Sequence, residues 1–298
     1  MVIKEIKGNT FCIDTGMTYI PFYKINHEEI IMLDSGLHGA ETDGIERLLK
    51  ANNLKLVGII CSHAHIDHVG NNSYFKKKYN CIIAIPKYEA FICSSTMNLK
   101  FYYGNQTSSD IKENFEHMVF ESDIIISDNQ DYIHVYGVKF KIIHTPGHSP
   151  AHICIVTPDD VAYLGDTLIS YEVMEGAKMP YTYTISEDLK SKTKLYDLKH
   201  DKYIVAHKGI YDDVTKLIAD NINFYKNIAA KVYNIIDAPI TMETIVKNAI
   251  NNFGIGISGI SKYITMERMV RSYVEYLDEM GMITLNIEDG FLKYSKVT

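Results

Sequence analysis

Long apolar runs are absent from this sequence. No segment of about 18 apolar residues occurs in it, and a membrane-spanning helix needs roughly that length. The first residues, MVIKEIKGNTFCIDTG, mix acidic and basic side chains and contain no apolar segment of signal-peptide length. We therefore expect a cytoplasmic protein that does not cross a membrane.

Cysteine is scarce, and its five positions show no pairing pattern. They are odd in number, scattered and without a CxxC motif: Cys12, Cys61, Cys81, Cys93 and Cys154. A disulfide framework normally uses an even number of closely spaced cysteines in a secreted chain. The pattern predicts buried or incidental thiols in a reducing compartment.

An excess of basic residues is missing as well. The chain has 30 Lys and Arg against 37 Asp and Glu, a formal net charge of −7. A general nucleic-acid binder needs a basic face that displaces counterions, so this balance disfavours that class, although a local basic patch would be compatible with it. With 298 residues, 46 % hydrophobic, the chain is typical of one large globular domain, or of one domain with a smaller companion.

Strand-like and helix-like segments alternate over the first two-thirds of the chain. Short apolar runs such as EEIIMLDSG and KLVGIICS end in polar residues, and TDGIERLLKANNL has the apolar spacing of a helix. This order predicts a layered α/β fold whose chemistry lies on the loops that follow the strands.

Two segments between these elements allow two interpretations each. Residues 94–120 are either a helical excursion on the surface or a lid in which Phe101, Tyr102 and Tyr103 contact substrate. The Met- and Tyr-rich loop that precedes residue 186 either lines an apolar substrate pocket or is a packed surface loop. After it, we expect a helix with Ser186 as N-cap and Asp188 in its first turn.

The texture of the sequence changes from about residue 213. Three amphipathic helix patterns follow, and then ITLNIEDGFLKYSKV, an alternating hairpin whose EDG supplies the turn. Helices followed by a hairpin resemble a winged helix. Residues 238–298 carry six Lys or Arg against seven Asp or Glu, whereas a DNA-reading winged helix is normally basic. We therefore predict a module for packing, dimerisation or substrate gating.

The stretch SHAHIDH, residues 62–68, is the strongest chemical signal in the chain. His63 and His65 are two positions apart at the end of an extended segment, so their side chains point the same way and can hold one metal ion. Asp67 and His68 follow as the chain turns, and they are displaced enough to serve a second ion. The alternative, a solvated histidine-rich turn, depends on whether further ligands exist.

Further candidate ligands occur later in the chain, each directly after an apolar run. They are His148 in TPGHSPAH, Asp166 in LGDTL and His207 in VAHKG. Strands that end at these points would bring all three to one pocket. Imidazole and carboxylate ligands suit Zn²⁺, with Mn²⁺ or Fe as alternatives. The ordered motifs favour a metal site over a solvated turn.

These motifs, together with Asp34 in MLDSG, resemble the metallo-β-lactamase superfamily over roughly residues 10–212. The resemblance is to the branch with a complete dinuclear site, which includes glyoxalase II-like thioesterases, lactonases and some nucleases. It implies an α/β fold of the αββα type for a catalytic domain at 1–212. Residues 213–298 would form the C-terminal helical, winged-helix-like module.

The resemblance also implies a role for each candidate ligand in a site with two Zn²⁺ ions. The ligands would be His63, His65 and His148 for the first ion, Asp67, His68 and His207 for the second, and Asp166 as the bridge. Asp34 would support the metal loop without binding metal. A metal-bridging hydroxide would attack an ester-like electrophile, and Asp67 would orient it as the catalytic residue. His152 is expected to orient ligands by hydrogen bonding rather than to bind metal.

Departures from other branches narrow the predicted function. The flavodiiron branch has a glutamate where this chain has His65, and the lactamases proper lack the bridging aspartate found here as Asp166. Asn71 stands where many thioesterases have a second glycine. The leading prediction is hydrolysis of a small ester, thioester or lactone. The alternatives are phosphodiester or RNA hydrolysis, and a metal-binding regulatory role with incidental activity. Formation of a homodimer is one function considered for the C-terminal module.

Overall fold

The computed structural model describes residues 1–297 and is built around two β-sheets. The first sheet has seven strands in sequential order, antiparallel from β1 to β4 and parallel from β4 to β7. Its strands are β1 (Val2–Lys7), β2 (Thr10–Asp14), β3 (Tyr19–Lys24), β4 (Glu29–Leu33), β5 (Lys55–Ile60), β6 (Ile82–Pro86) and β7 (Ile124–Ile126).

The second sheet has six strands, in the order β13-β12-β11-β10-β9-β8. Its strands are β8 (Tyr132–Val135), β9 (Val138–His144), β10 (Ile153–Val156), β11 (Val161–Tyr163), β12 (Lys202–Val205) and β13 (Gly209–Tyr211). Only β11 and β12 pair in parallel among these described strands. The β8–β9 hairpin turns through Tyr136 and Gly137, both at positive φ, as a two-residue hairpin turn of the primed type requires.

Helices cover the outer face of each sheet. Those before residue 200 are α1 (Thr42–Ala51), α2 (Ile66–Val69), α3 (Asn72–Tyr79), α4 (Lys87–Cys93), α5 (Thr96–Tyr103), α6 (Ser108–Phe115), α7 (Tyr171–Gly176) and α8 (Ile185–Lys194). Short 3₁₀ turns span Glu116–Met118 and Leu195–Asp197.

Three apolar layers hold these elements together. Between the sheets, Leu33 and Ile60 of the first meet Phe140, Ile155 and Ile204 of the second. A second cluster packs the first sheet against α1 to α6, and a third packs the second sheet against later helices. Burying a side chain of this size contributes about 1.5–3 kcal/mol. The predicted αββα sandwich is confirmed.

The last part of the chain is helical and ends in a hairpin. Its elements are α9 (Thr215–Ile235), α10 (Met242–Asn252), α11 (Ile260–Glu279), β14 (Ile283–Glu288) and β15 (Phe291–Lys296). One buried cluster joins α9 to α11 with Ile169, Met179, Ile185 and Leu189. The C-terminal module therefore packs on the segment that follows Asp166. The division of the chain into two domains, 1–212 and 213–298, stays a proposal.

Local expectations are partly revised by the structure. The helix expected from Ser186 begins at Ile185, and its N-cap is Thr184, whose side chain makes no capping hydrogen bond. Asp188 does lie in the first turn, but it is buried and paired with Lys192. The five cysteines are free and buried, as predicted. Within residues 1–297, no helix combines the length and the apolar character needed to cross a bilayer.

Candidate metal centre

The predicted ligands follow strands that end at one edge of the sandwich. β4 and β5 run parallel and lead to Asp34 and His63, whereas the parallel strands β11 and β12 lead to Asp166 and His207. Because parallel strands end at the same edge of a sheet, each pair delivers its polar residues side by side. His148 comes from the loop between β9 and β10.

The first group of ligand atoms comprises His63, His65, His148 and Asp166. His65 Nδ1 lies 2.8 Å from His63 Nε2 and 3.0 Å from His148 Nε2. His148 Nε2 is also 3.3 Å from Asp166 Oδ2. All four side chains offer one ligand atom within 4.8 Å of the others, which is a separation that one metal ion can span.

The second group comprises Asp67, His68 and His207. Asp67 Oδ2 lies 3.4 Å from His207 Nε2 and 3.8 Å from His68 Nε2. Asp166 reaches this group too, because its Oδ1 is 3.4 Å from His68 Nε2 and its Oδ2 is 3.3 Å from His207 Nε2. Asp166 therefore lies between the two groups, where the resemblance placed a bridging ligand.

Two buried atoms in these groups point to a cation. His68 Nε2 and Asp166 Oδ1 lie 3.4 Å apart, yet neither makes a hydrogen bond within residues 1–297, and a buried polar atom without a partner is costly. Imidazole nitrogens and carboxylate oxygens are a donor set that Zn²⁺, Mn²⁺ and Fe accept. The residues present fit a metal centre.

Burial and neighbouring charges shift the pKa values in the first group toward the protonation states that bind metal. Burial lowers the pKa of His63 well below its usual range and that of His65 to about 4. The pKa of Asp166 is held well below its ordinary value: burial opposes this, but His207, His68 and His148 outweigh it. These shifts favour the neutral imidazoles and the ionised carboxyl that metal binding requires.

The histidines of the second group show the opposite shift. Asp166 raises the pKa of His207 to about 9 against the effect of burial. Burial would lower the pKa of His68, yet Asp166, Asp67 and Asp34 hold it well above its usual range. This part of the site stabilises positive charge, whether it is carried by protons or by a metal cation.

Asp34 supports the histidine loop from beneath. Its Oδ1 accepts a hydrogen bond from the Ser62 N–H at 2.6 Å, and its Oδ2 lies 2.7 Å from both His68 Nδ1 and the Tyr163 hydroxyl. Asp34 itself is buried and has a φ of 66°. The carboxylate holds the His68 ring so that Nε2 faces the centre, which agrees with the supporting role that the resemblance implies.

Changing Asp34 to asparagine should weaken metal binding at the second group. The amide keeps the shape but offers one acceptor oxygen instead of two, so Ser62, His68 and Tyr163 cannot all remain paired. We expect metal affinity to fall about 10–100-fold, measured by competition with a chromophoric chelator. Asp128→Asn, at an exposed position, is the control; equal affinity in the two variants would contradict the supporting role.

His152 lies behind the metal groups and contacts Asp166 through the backbone. The Asp166 N–H donates to His152 Nε2 at 3.1 Å, and His152 Nδ1 lies 2.9 Å from Thr145 Oγ1. His152 is absent from both ligand groups of the described chain. It places the Asp166 loop, as predicted for an orienting residue.

Glu89 of α4 is a functional residue that the sequence does not reveal. It is fully buried; its Oε2 accepts from the Ala64 N–H at 2.9 Å, and its Oε1 accepts from the Ser149 hydroxyl and the Ala151 N–H, both at 2.7 Å. One carboxylate thus joins the loop of His63 and His65 to the loop of His148. A single acidic residue in a short helix gives no sequence signal for this role.

A pocket of about 460 Å³ lies over the metal groups. Its wall includes Tyr103 and Phe115 of the 94–120 segment, Tyr181 of the Met- and Tyr-rich loop, and Ile264 and Arg268 of α11. The 94–120 segment is therefore both helical and part of the pocket wall. Phe101, however, is 73 % exposed, which does not support its predicted contact with substrate.

A hydrogen-bonded pair of tyrosines connects this pocket to the first group. The Tyr102 hydroxyl lies 2.9 Å from His65 Nε2 and 3.3 Å from the Tyr181 hydroxyl. The nitrogen of His65 that does not face the centre is therefore fixed by a residue of α5. This contact orients the ring and leaves Nδ1 for the metal.

Comparison with known proteins agrees with this geometry. The sequence pattern that defines the metallo-beta-lactamase superfamily matches residues 8–207. With the sandwich fold and the histidine and aspartate clusters in place, the chain belongs to the metallo-beta-lactamase superfamily, as its motifs predict.

Sequence relatives are moderately similar. A hydroxyacylglutathione hydrolase of Pelagibacter ubique is 27 % identical over 179 residues, which is 56 % of this chain and 64 % of the relative. A second hydroxyacylglutathione hydrolase, of Haemophilus influenzae, is 24 % identical over 180 residues, 59 % of this chain and 79 % of the relative. A protein of Aquifex aeolicus whose function is uncharacterized is 29 % identical over 190 residues, 63 % of this chain and 81 % of the relative.

Solved structures with the same fold cover nearly the whole chain. A metallo-beta-lactamase family protein from Thermus thermophilus has a TM-score of 0.70 at 17 % identity and covers 94 % of both chains. A beta-lactamase domain protein from Burkholderia ambifaria has a TM-score of 0.70 at 14 % identity, over 99 % of this chain and 93 % of the other. These likenesses show the fold.

Proposed function

We propose that this protein is a dinuclear metal-dependent hydrolase acting on a small ester, thioester or lactone. Support comes from the superfamily, from relatives named as hydroxyacylglutathione hydrolases, and from the convergence of seven candidate ligands at one sheet edge. The observation that carries most weight is the position of Asp166 between the two ligand groups.

Seven side chains would hold two Zn²⁺ ions, or Mn²⁺ or Fe in their place. One ion would be held by His63, His65 and His148, the other by Asp67, His68 and His207, and Asp166 would be shared. A pair of bound cations makes hydroxide available near neutral pH and polarises a carbonyl or phosphoryl oxygen.

The remaining chemistry falls to side chains of the pocket. Asp67 is partly exposed and lines the pocket, so its carboxylate is placed to orient the attacking water and to accept its proton. Tyr181 lines the same pocket, and in the proposed mechanism its hydroxyl would donate to the carbonyl oxygen as negative charge develops there. Glu89 and Asp34 hold the ligand-bearing loops in position through hydrogen bonds and would not contact substrate.

The pocket supports a small carbonyl substrate over a nucleic acid. Its volume of about 460 Å³ lies in the range of small-molecule sites. Tyr103 of α5, Phe115 of α6 and Tyr181 of the Met- and Tyr-rich loop contribute aromatic side chains to its wall. Single-stranded nucleic acid is normally bound in a basic groove that follows several phosphates. Phosphodiester hydrolysis and a regulatory metal-binding role are therefore the weaker candidates.

A substrate panel tests this proposal. Metal-loaded protein is offered thioesters, lactones, phosphodiesters and single-stranded RNA, and bound metal is counted by mass spectrometry. We expect turnover of thioesters or lactones with two metals per chain. Preferential turnover of phosphodiesters or RNA would replace the proposal with its first alternative, and no turnover despite two bound metals would favour the regulatory role.

A further inference from the structure

Arg268 of α11 is enclosed by tyrosine rings beside the metal centre. Its guanidinium carbon lies 4.3 Å from the ring centre of Tyr102, 5.0 Å from that of Tyr181 and 5.3 Å from that of Tyr103. Guanidinium groups stack favourably on aromatic faces. Three rings around one guanidinium restrict its motion, so the positive charge is held at a fixed place.

The charge of Arg268 has no counter-ion among residues 1–297. Its Nη2 is buried and has no hydrogen-bond partner within residues 1–297, and no carboxylate of that range forms an ion pair with it. Arg271, one turn further along α11, is exposed and pairs with Glu267 at 2.7 Å. A partly buried cation without a partner is costly to fold, and an anion supplied from outside the chain would complete it.

Arg268 is only partly buried, although its Nη2 is enclosed. Its side chain lines the proposed substrate pocket, the cavity that also contains His65, Asp67 and Asp166. Tyr102 contacts both residues, because its ring lies 4.3 Å from the guanidinium carbon and its hydroxyl lies 2.9 Å from His65 Nε2. An anion on Arg268 would therefore belong to the molecule whose reacting bond lies over the metals.

The geometry points to a carboxylate-bearing substrate, with Arg268 as the residue that selects it. This inference rests on the proposed function and names the substrate class: a small ester or thioester with a carboxylate in its acyl part or its leaving group. Among residues 1–297, no second Lys or Arg lines the pocket. One guanidinium pairs with a carboxylate through two N–H donors and balances its single negative charge, whereas a phosphate dianion would leave a second negative charge unbalanced by Arg268. The aromatic wall would hold the apolar part of the molecule.

Two matched pairs of thioesters test the selection. The first is S-butyryl-3-mercaptopropionate and its carboxamide, and the second is the succinyl thioester of N-acetylcysteamine and its carboxamide. The variants are Arg268→Met and Arg268→Gln, with Arg271→Met as control on the same helix. Each thioether analogue, with CH₂ in place of the thioester carbonyl, is also titrated into metal-free protein by calorimetry.

We expect the unmodified protein to prefer the carboxylate member of one pair by about 100-fold in kcat/KM, chiefly through KM. Both Arg268 variants should lose that preference, so that their ratio of kcat/KM for the carboxylate member over the neutral member approaches one, whereas Arg271→Met should keep the preference. The metal-free protein should show the same preference among the thioethers.

Three results would overturn the assignment. They are equal rates on both members of each pair, a preference that survives in both Arg268 variants, and a stronger preference for the butyryl thioester of 2-mercaptoethyl phosphate. A failure of the proposed function looks different. In that case no thioester is turned over, while the metal-free protein still distinguishes the charged thioethers through Arg268.

Discussion

Asp166→Ala is expected to abolish hydrolysis and to lower the metal content of the protein. The carboxylate lies within 3.4 Å of candidate ligand nitrogens from both groups, so in the proposed dinuclear centre its removal would deprive both ions of a shared anionic ligand. The ions would then be held more weakly. We expect kcat/KM to fall by about 10³-fold or more and bound metal to fall below two per chain.

Two further variants make this result interpretable. Asp166→Asn keeps the shape and removes the charge, so it should lose most of the activity while the fold is preserved. Asp128→Ala, at an exposed position away from the centre, should behave as the unmodified protein does. An Asp166→Ala protein that keeps full metal content and full activity would refute the assignment of the site altogether.

Removing metal with a chelator should lower the melting temperature by roughly 10 °C. A ligand that binds only the folded state at about a thousand times its Kd stabilises that state by about 4 kcal/mol, and each kcal/mol is worth about 2–4 °C in a chain of this order of size. Removal would also leave His68 Nε2 and Asp166 Oδ1 buried without partners. Scanning calorimetry before and after dialysis against chelator measures the shift.

Re-addition of Zn²⁺ should restore the higher melting temperature. Asp166→Ala serves as the matched control, because a protein that has already lost metal should respond little to the chelator. If the unmodified protein and this variant lose the same number of degrees, the stabilisation does not come from the proposed centre.

The candidate metal ligands could be proposed from sequence because several of them have a recognisable local sequence context. His63, Asp166 and His207 all stand directly after an apolar run, and a strand that ends in a polar residue delivers it to a sheet edge whatever the rest of the chain does. Within each sheet, the parallel pairs β4–β5 and β11–β12 then place the ends of these strands side by side.

The residues around the ligands could not be predicted in this way. Glu89 acts through backbone N–H groups and a hydroxyl far from it in sequence, so nothing near residue 89 indicates its role. Arg268 lies in an ordinary amphipathic helix, and its position against Tyr102 and Tyr181 exists only after α11 packs on the sandwich. The only hint in the sequence is that arginine is rare: the chain contains three, and Arg268 is one of them.

The N-terminus of α8 is another feature that local sequence did not predict correctly. Ser186 has the better capping side chain, yet the helix starts at Ile185. Ile185 and Leu189 belong to the apolar cluster shared with α9 to α11, and their burial outweighs the fraction of a kcal/mol to about 2 kcal/mol that a cap contributes.

The packing of α11 against the pocket has a consequence for how this protein is related to others. The region matched by the superfamily model ends at residue 207, whereas α11 contributes Ile264, Thr265 and Arg268 to the pocket wall. Part of the wall of the proposed substrate pocket is thus encoded outside the region that defines the superfamily, although Tyr103, Phe115 and Tyr181 lie within that region. Two members with the same candidate ligands would then be able to differ in substrate through changes in their C-terminal segments alone.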